Sequence, residues 1–440
     1  MTTLPDYTAD PATAFYTPGV DAGLYLLGDP RPNWVPDPGG ITDFLALSEH
    51  PKVNRTWQAR RTETERHRQF SQRIEVDARP VVVRDFTVID SHQGLGGKWF
   101  LNGAAGERVV GQCFRHWKRQ NGAEGWAEGF TRHFEDARAA SGPVPMWQDT
   151  VTGLNFVVEA WKLSNYFHFQ REVLTSIALA TEIPGFDGDI VIVTGDTARP
   201  AYVARFIEDV FPTFRGRVKI VSGPQHFETA LTAWDCDFAY FQTATGQIDG
   251  LIGADNVLAG GQVTQSVGKV IRSNGCSRAM RVLRDRAVAE AGGREIWPRK
   301  VWVSRRPGAS HDRTIQNEDR IIAELARRGF GVVYFEDLAP LDQVALMAQA
   351  EVVVSYHGAG FANMMYAARQ TRVMELGTLQ SGTLRYPDFV GLAHAAQCRY
   401  TLAICDHDHE SVIPPLRGVP LFPVRLTDAA IDAIVAEFGG

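Results

Sequence analysis

The strongest order in the sequence lies between residues 299 and 404, where five short apolar runs have the length of buried β-strands. These runs are residues 301–304, 331–335, 352–356, 372–376 and 399–404. Residues 321–328 and 342–350 lie between them and carry apolar side chains at helical spacing. Because parallel strands need crossover connections, usually helices with a right-handed turn, the pattern predicts a doubly wound parallel sheet.

The preceding part of the chain shows a similar alternation. Residues 165–181 and 201–210 read as helices, and residues 190–194, 218–222 and 238–242 read as strands. Residues 80–160 contain β-like runs such as 81–86, without a clear repeat. We therefore predict an α/β protein in which two Rossmann-like doubly wound domains face a cleft. The connection is expected near residues 292–299, where Gly292, Gly293 and Pro298 cluster.

Four segments follow from this interpretation. Residues 1–79 are expected to form an irregular N-terminal arm and a basic linker, and residues 80–295 an N-terminal Rossmann-like domain. Residues 296–425 are expected to form a C-terminal Rossmann-like domain, and residues 426–440 a helix that packs back towards the N-terminal domain. The run 51–74 has seven Lys and Arg residues against two Glu. It reads either as a solvated helix or linker, or as a peripheral contact with membrane phosphate or a partner.

Composition excludes several classes of function. The 440 residues include 45 basic and 51 acidic side chains, so the net charge of −6 provides no global attraction to nucleic acid or anionic lipid. No stretch reaches the roughly 18 apolar residues of a transmembrane helix, and the first 40 residues lack the regions of a secretory signal. The five cysteines are widely spaced, which favours reduced thiols. We expect a cytoplasmic protein, with any membrane contact at the inner face.

Ligands of open α/β sheets bind beyond the carboxyl ends of the strands. After residues 352–356 comes the turn His357-Gly358-Ala359-Gly360, whose small residues allow backbone N–H groups to approach a diphosphate. The alternative is an ordinary tight turn in which His357 only hydrogen-bonds the backbone. The turn lacks GxGxxG, so it gives no support to a dinucleotide-binding dehydrogenase.

Two further strand ends carry charged groups. Ser304-Arg305-Arg306 is followed by Arg313, and guanidinium groups bind phosphate in a forked geometry. Asn317-Glu318 opens a helix, where Asn317 also fits an N-cap. Glu375 ends an apolar strand and either accepts the hydroxyls of a ribose or is a solvated strand terminus.

In this order and spacing, the set resembles glycosyltransferase family 61. Its C-terminal part comprises Ser304-Arg305, Arg313, Asn317-Glu318, Gln343, His357-Gly358-Ala359-Gly360, Asn363 and Glu375. Its N-terminal part is Asn165-Tyr166-Phe167-His168, with the acidic residue Glu172 four positions after the histidine. The match covers about residues 160–180 and 300–380. The chain departs from the family pattern at Phe361-Ala362 and in having Glu172 where some relatives have Asp.

The resemblance implies a GT-B-like architecture, with residues 80–295 as the acceptor-side domain and residues 296–425 as the domain that binds the nucleotide sugar. It also implies inverting transfer of a sugar from a nucleotide-diphosphate donor, expected to be a UDP-sugar, to a glycan or glycolipid acceptor. It implies no bound cofactor and no required metal, and a role in bacterial surface polysaccharide synthesis. Glu172 is the first candidate for the base, and His168 shares its helix face four residues away. The alternative is a structural ion pair on a half-buried helix.

The remaining residues are assigned to the donor. Arg305, Arg313 and His357, with the amides of Gly358, Ala359 and Gly360, would stabilise the departing phosphate. Glu375 would position the ribose, Asn363 the phosphate or the sugar, and Asn317 and Glu318 would complete the site. A nucleotide-sugar epimerase or hydrolase, and a non-catalytic nucleotide-sugar-binding protein, are the alternative functions.

Two acidic clusters raise the question of a metal site. Asp235-Cys236-Asp237 matches an Asp-x-Asp element, and residues 406–410 combine Asp, His and Glu. Both are short matches beside a strand or a Pro-containing loop, and we interpret them as polar turns.

Overall fold

The computed structural model describes residues 3–244, 248–258, 267–296, 298–306 and 315–438. The chain divides into two compact units. The first comprises residues 1–37 and 68–286, and the second comprises residues 38–67 and 287–440. The second unit is therefore assembled from two separate stretches of sequence.

The first unit contains a mixed sheet. Its strands follow the spatial order Val218–Ser222, Ile190–Thr194, Phe156–Ala160, Gln225–Asp235, Ala78–Ile89, His92–Leu95 and Lys98–Trp99, and Leu24–Leu26 pairs with Ala78–Ile89. The first four strands are parallel, and the others pair antiparallel. The predicted doubly wound sheet is therefore confined to one half of this sheet.

The helices of the first unit cover the sheet and build its core. They are Pro11–Ala14, Gly103–Asn121, Ala123–Ala140, Tyr166–His168, Thr175–Ala180, Ala201–Val210, Ala239–Gln242, Val267–Asn274 and most of Arg278–Glu290, with a π-helical turn Phe169–Leu174 and 3-10 turns Pro212–Phe214 and Asp249–Leu251. A small sheet joins Gly275–Ser277, Ile74–Val76 and Trp34–Pro36. The predicted strand at residues 238–242 is wrong, because residues 239–242 are helical.

The second unit contains a parallel sheet. Its strands follow the spatial order Phe330–Tyr334, Lys300–Ser304, Val352–Tyr356, Arg372–Gly377, Arg399–Ile404 and Ile41–Ala46, and every neighbouring pair is parallel. The four inner strands consist mostly of apolar residues and are largely buried, as expected for parallel strands covered on both faces. A small sheet joins Ile315–Gln316, Val424–Arg425 and Asp406–His407.

Six helices and two 3-10 segments accompany this sheet in the described part of the second unit. They are Pro51–Arg68, Glu318–Ala326, Pro340–Gln349, Leu379–Arg385, Val390–Ala396 and Asp428–Phe438, with 3-10 segments Phe335–Asp337 and Ala359–Tyr366. Pro340 occupies the first turn of its helix, where its missing N–H costs no hydrogen bond. Ile431, Ile434 and Phe438 of the last helix share a buried cluster with Trp302. This helix packs in the core of its own unit, and its predicted packing towards the N-terminal domain stays a prediction.

The N-terminal segment is more ordered than an irregular arm. Residues 41–46 form an edge strand paired with Arg399–Ile404, and residues 51–68 form a helix in the basic run. Val53 and Trp57 anchor this helix in the interior. The helical interpretation of the run is confirmed, while its contact with a membrane or a partner stays a prediction. The GT-B arrangement also stays a prediction.

The cysteines agree with the expectation of reduced thiols. All five cysteines are free and buried. Burial raises the pKa of the Cys113 and Cys276 thiols to about 12, so they are poor nucleophiles at neutral pH.

In the described part of the chain, no helix combines the length and the apolar character that crossing a bilayer requires.

Candidate functional site

The strand order of the second unit creates a ligand position at the point where its connections reverse direction. Lys300–Ser304 is the first strand along the chain in the main part of this sheet, and it lies between Phe330–Tyr334, which follows it, and Val352–Tyr356. Ligands of doubly wound sheets bind at such a switch point, beyond the carboxyl ends of the two central strands. The residues that follow these two strands are Arg305 and His357.

Arg305 and Gly358 fit together at this position. A Cβ atom added to Gly358 would lie 1.4 Å from Nη2 of Arg305, so the guanidinium occupies the space that any side chain at 358 would need. The guanidinium also lies over the Tyr356 ring, with its carbon 5.2 Å from the ring centroid. Because the backbone at Gly358 is extended, glycine matters here for the close approach of Arg305 and not for its torsion angles. The arrangement places a cation beside the turn at residues 358–360.

His357 is turned inward from this turn. Its Nδ1 lies 2.5 Å from Oε1 of Glu375, and Tyr400 donates its hydroxyl to Oε2 of the same carboxylate. Glu375 is only 2% exposed, so it is not the solvated strand terminus that the sequence allowed. Both of its oxygens accept hydrogen bonds within the protein, and this geometry gives no support to the predicted contact with a ribose.

The space beside the imidazole is small. Residues 421–424 line a hollow of about 20 Å³ next to Tyr356 and His357, which is too small for a nucleotide. Gln380 fixes this covering segment, since it donates to the carbonyl of Pro420 (3.0 Å) and accepts from the N–H of Phe422 (2.9 Å). In this structure His357 therefore positions the turn, and Arg305, Ala359 and Gly360 beside it remain accessible for a ligand.

Three other predicted donor residues have structural roles. Asn363 is fully buried and donates to Oε1 of Gln343 (2.9 Å), so it holds the 3-10 segment against a helix, and its contact with the phosphate or the sugar stays a prediction. Glu318 accepts hydrogen bonds from Trp302 Nε1 (2.9 Å) and Ser304 Oγ (2.6 Å). Asn317 stands at the N-cap position in a left-handed conformation, but its side chain makes no cap and donates instead to the carbonyl of Leu426. Arg313 lies outside the described residues.

The first unit brings His168 and Glu172 together. Asn165 caps the segment by accepting from the N–H of Phe167 (3.0 Å), and the helix then passes into the π-helical turn Phe169–Leu174. Such turns are rare and often occur at functional sites. Nδ1 of His168 lies 2.7 Å from Oε1 of Glu172, and the His168 side chain keeps 22% of its surface exposed. The predicted pair is therefore in contact and open to solvent at the histidine.

The pair is completed by Arg108, which sequence analysis did not identify. Arg108 lies on the helix Gly103–Asn121 and donates Nη1 to Oε2 of Glu172 (2.6 Å) and Nη2 to Oε2 of Glu159 (2.5 Å). Burial by itself would raise the pKa of Glu172, but the charge of Arg108 and the hydrogen bond from His168 outweigh it and lower the pKa well below its usual range. A carboxylate held so firmly in the ionised form is a weak proton acceptor.

This electrostatic arrangement assigns different roles to the two side chains. Because Glu172 is ionised, it can only accept a hydrogen bond, and the donor is the Nδ1–H group of His168. In a neutral His168 the ring proton therefore lies on Nδ1, and Nε2 carries the lone pair. A carboxylate that orients a histidine in this way is a recurrent arrangement in enzymes that need a general base. The geometry therefore supports His168 as the base and Glu172 as the residue that positions it.

Glu159 is the unusual member of this cluster. It is the next-to-last residue of the buried strand Phe156–Ala160, and its Oε1 has no hydrogen-bond partner among the described residues. Burial raises the pKa of Glu159 to about 7, because one guanidinium does not compensate for complete desolvation next to the charge of Glu172. The two carboxyl groups thus have opposite pKa shifts, although both accept from Arg108.

A polar cavity of about 70 Å³ lies behind these residues in the first unit. Its lining includes Glu159, Glu172, Arg171, Asp235 and Asp237. Burial, followed by the charge of Asp237, raises the pKa of Asp235 well above its ordinary value. Within the described ranges, no three His, Cys, Asp or Glu side chains form a group that could hold a metal ion.

Sequence comparison bears on both units. The family model described as Glycosyltransferase 61 matches residues 166–374, which is slightly less than half of the chain. The matched segment includes His168 and Glu172 in the first unit and Arg305 and Gly358 in the second. No curated protein matches the chain. The family match supports a glycosyltransferase enzyme.

Proposed function

We propose that this glycosyltransferase uses His168 as its catalytic base and transfers a sugar, with inversion, from a nucleotide-diphosphate donor to a hydroxyl of a glycan acceptor. The observation that carries the proposal is the hydrogen-bonded series from His168 to Glu172 to Arg108. A binding protein has no need for an oriented imidazole beside a carboxylate whose pKa is lowered. The family match gives the reaction class, a sugar donor and a glycan acceptor.

In the proposed reaction, each proton and each bond that forms or breaks is accounted for. The acceptor hydroxyl transfers its proton to Nε2 of His168 as its oxygen forms a bond to the anomeric carbon of the donor. The bond between that carbon and the diphosphate oxygen breaks on the opposite face, and its electron pair leaves with the nucleoside diphosphate. Glu172 stabilises the imidazolium that forms, and Arg108 keeps Glu172 ionised and in place.

The second unit supplies the proposed donor site. Arg305 is a permanent cation at the switch point of the parallel sheet, beside backbone N–H groups of the turn after Gly358. These groups are suited to stabilise negative charge as it develops on the departing phosphate. We propose a UDP-sugar as donor, no requirement for a metal, and a role in bacterial surface polysaccharide synthesis, as the resemblance implies.

The test is an assay of nucleotide release from a panel of UDP- and GDP-sugars, with and without methyl glycosides as acceptors. We expect His168→Asn and Glu172→Gln to reduce transfer by about 10²–10⁴-fold, the usual contribution of a general base. Both variants should bind UDP as the wild type does in a thermal-shift titration. His226→Asn is the matched control, because His226 also faces a carboxylate, Asp85, at 3.8 Å in the same unit.

Full turnover by His168→Asn would remove His168 from the role of base. Consumption of the donor at the same rate without any acceptor would instead indicate the hydrolase or epimerase alternative. Binding of nucleotide sugars without consumption, under all conditions of the panel, would indicate a non-catalytic binding protein.

A further inference from the structure

Trp161 is the most exposed aromatic side chain in the described part of the chain. Its residue surface is 38% accessible, whereas the other tryptophans of the described residues are more buried. It directly follows the strand Phe156–Ala160, so it lies at the carboxyl edge of the parallel half of the first sheet. Ligands of such sheets gather at that edge. A single exposed apolar residue is common on protein surfaces, so exposure alone does not indicate a binding site. The contacts of Trp161 provide the further evidence.

Trp161 contacts His168 and Arg108, two of the three residues of the proposed base assembly. The His168 ring meets the indole edge to face, with centroids 4.8 Å apart and planes at 75°. The guanidinium carbon of Arg108 lies 5.4 Å from the centroid of the indole. The indole is therefore oriented by the same side chains that place Nε2 of His168, and its position relative to the base is fixed.

The chemistry of the indole suits a sugar ring. A pyranose has C–H groups on its faces and hydroxyls around its rim, so it stacks on an aromatic plane while its hydroxyls bond to polar neighbours. Lys162 holds its ammonium over the same ring, 4.6 Å from the Trp161 centroid. Its flexible four-carbon stem allows the ammonium to move off the ring and bond to such hydroxyls when a sugar stacks there. Indoles also provide large contact areas at low conformational cost, since they have few rotatable bonds.

We propose that Trp161 is the stacking surface for the acceptor sugar and determines acceptor affinity. This inference rests on the proposed function, in which His168 deprotonates an acceptor hydroxyl. A sugar stacked on Trp161 has its rim hydroxyls beside the imidazole, so the same indole that binds the ring also selects which hydroxyl meets Nε2. The donor is bound by residues of the other unit and does not depend on Trp161.

The first experiment measures binding without turnover. Saturation-transfer NMR with methyl glycosides of glucose, galactose, N-acetylglucosamine and xylose reports which ligand protons touch the protein. We expect at least one glycoside to show transfer to its ring C–H protons with the wild type, a strong loss with Trp161→Ala and partial retention with Trp161→Phe. Trp147→Ala is the matched control, because Trp147 is a partly exposed tryptophan of the same unit that also carries an arginine, Arg84, on its ring at 4.9 Å.

The second experiment separates acceptor from donor in steady-state kinetics. Trp161→Ala should raise the acceptor KM about tenfold, the scale of one aromatic stacking contact, and leave the donor KM unchanged. Equal saturation transfer in wild type and Trp161→Ala, an unchanged acceptor KM, or no signal from any glycoside on the wild type would overturn the proposal. If His168→Asn is inactive while Trp161→Ala is unaffected, the stacking proposal fails and the proposed function stands. If His168→Asn is fully active, the proposed function itself fails.

Discussion

The buried carboxyl group of Glu159 makes the stability of the protein depend on pH in a predictable direction. Its pKa is about 7 in the folded protein, compared with an ordinary value of 4.5, and burial is the main cause. A raised pKa means that the folded state holds the proton more tightly than the unfolded state. The stabilisation is therefore complete below pH 4.5 and is lost as the pH rises to 7. At about 1.4 kcal/mol for each factor of ten in proton affinity, the loss is about 3 kcal/mol.

Glu159→Gln removes this titration while keeping the size of the side chain. The free energy of unfolding of wild type minus that of Glu159→Gln should fall by about 3 kcal/mol between pH 5 and pH 8, because only the wild type must ionise a buried group. Urea denaturation followed by circular dichroism at both pH values gives the two differences. Glu128→Gln, the same substitution on an exposed face of the helix Ala123–Ala140, shows what the change does at the surface. A difference that stays constant from pH 5 to pH 8 would refute the reasoning, since it would mean that Arg108 keeps Glu159 ionised throughout.

Three further substitutions test other contacts. Gly358→Ala places a Cβ atom 1.4 Å from Arg305 Nη2 and should weaken UDP binding about tenfold in calorimetric titration. Gly360→Ala is the control, because its Cβ meets only the Phe335 ring, at 3.2 Å, and it should weaken UDP binding less. Equal effects of the two substitutions would contradict the role of Gly358. Tyr400→Phe removes the hydroxyl that donates to buried Glu375 and should lower the free energy of unfolding by about 1–3 kcal/mol in urea, so an unchanged midpoint would argue against that bond. Asn165→Ala removes the cap of the segment that carries His168 and should cost about 1 kcal/mol, with Asn165→Asp restoring most of it; equal stability of the two variants would exclude capping.

The sequence predicts the parallel sheet of the second unit closely. The expected strands at 352–356 and 399–404 have the bounds of the structure, and those at 301–304, 331–335 and 372–376 differ by one residue at one or both ends. These strands are short apolar runs separated by helices, so their pattern is local. Residues 238–242 are also a short apolar run, yet residues 239–242 form a buried helical turn. Periodicity alone does not distinguish a short buried strand from a buried helix.

The contacts of the candidate site were harder to predict. The pair His168 and Glu172 is readable because four residues separate them on one helix face. Arg108 and Glu159 are 64 and 13 positions from Glu172, and no local pattern indicates that one guanidinium joins both carboxylates. In the same way, Glu375 has the position of a ligand contact in sequence, but Tyr400 and His357 from neighbouring elements enclose it. Long-range packing decided these roles.

The edge strand Ile41–Ala46 also has a consequence for how the protein is made. Its hydrogen-bonding partner, Arg399–Ile404, lies about 350 residues later in the chain. At about 5–20 residues per second, a ribosome needs roughly 20–70 seconds to synthesise the intervening sequence. Throughout that interval the early strand has been translated but has no partner strand, while residues 68–286 of the first unit emerge. Completion of the second sheet is therefore one of the last events of biogenesis, and it closes a loop that spans most of the polypeptide.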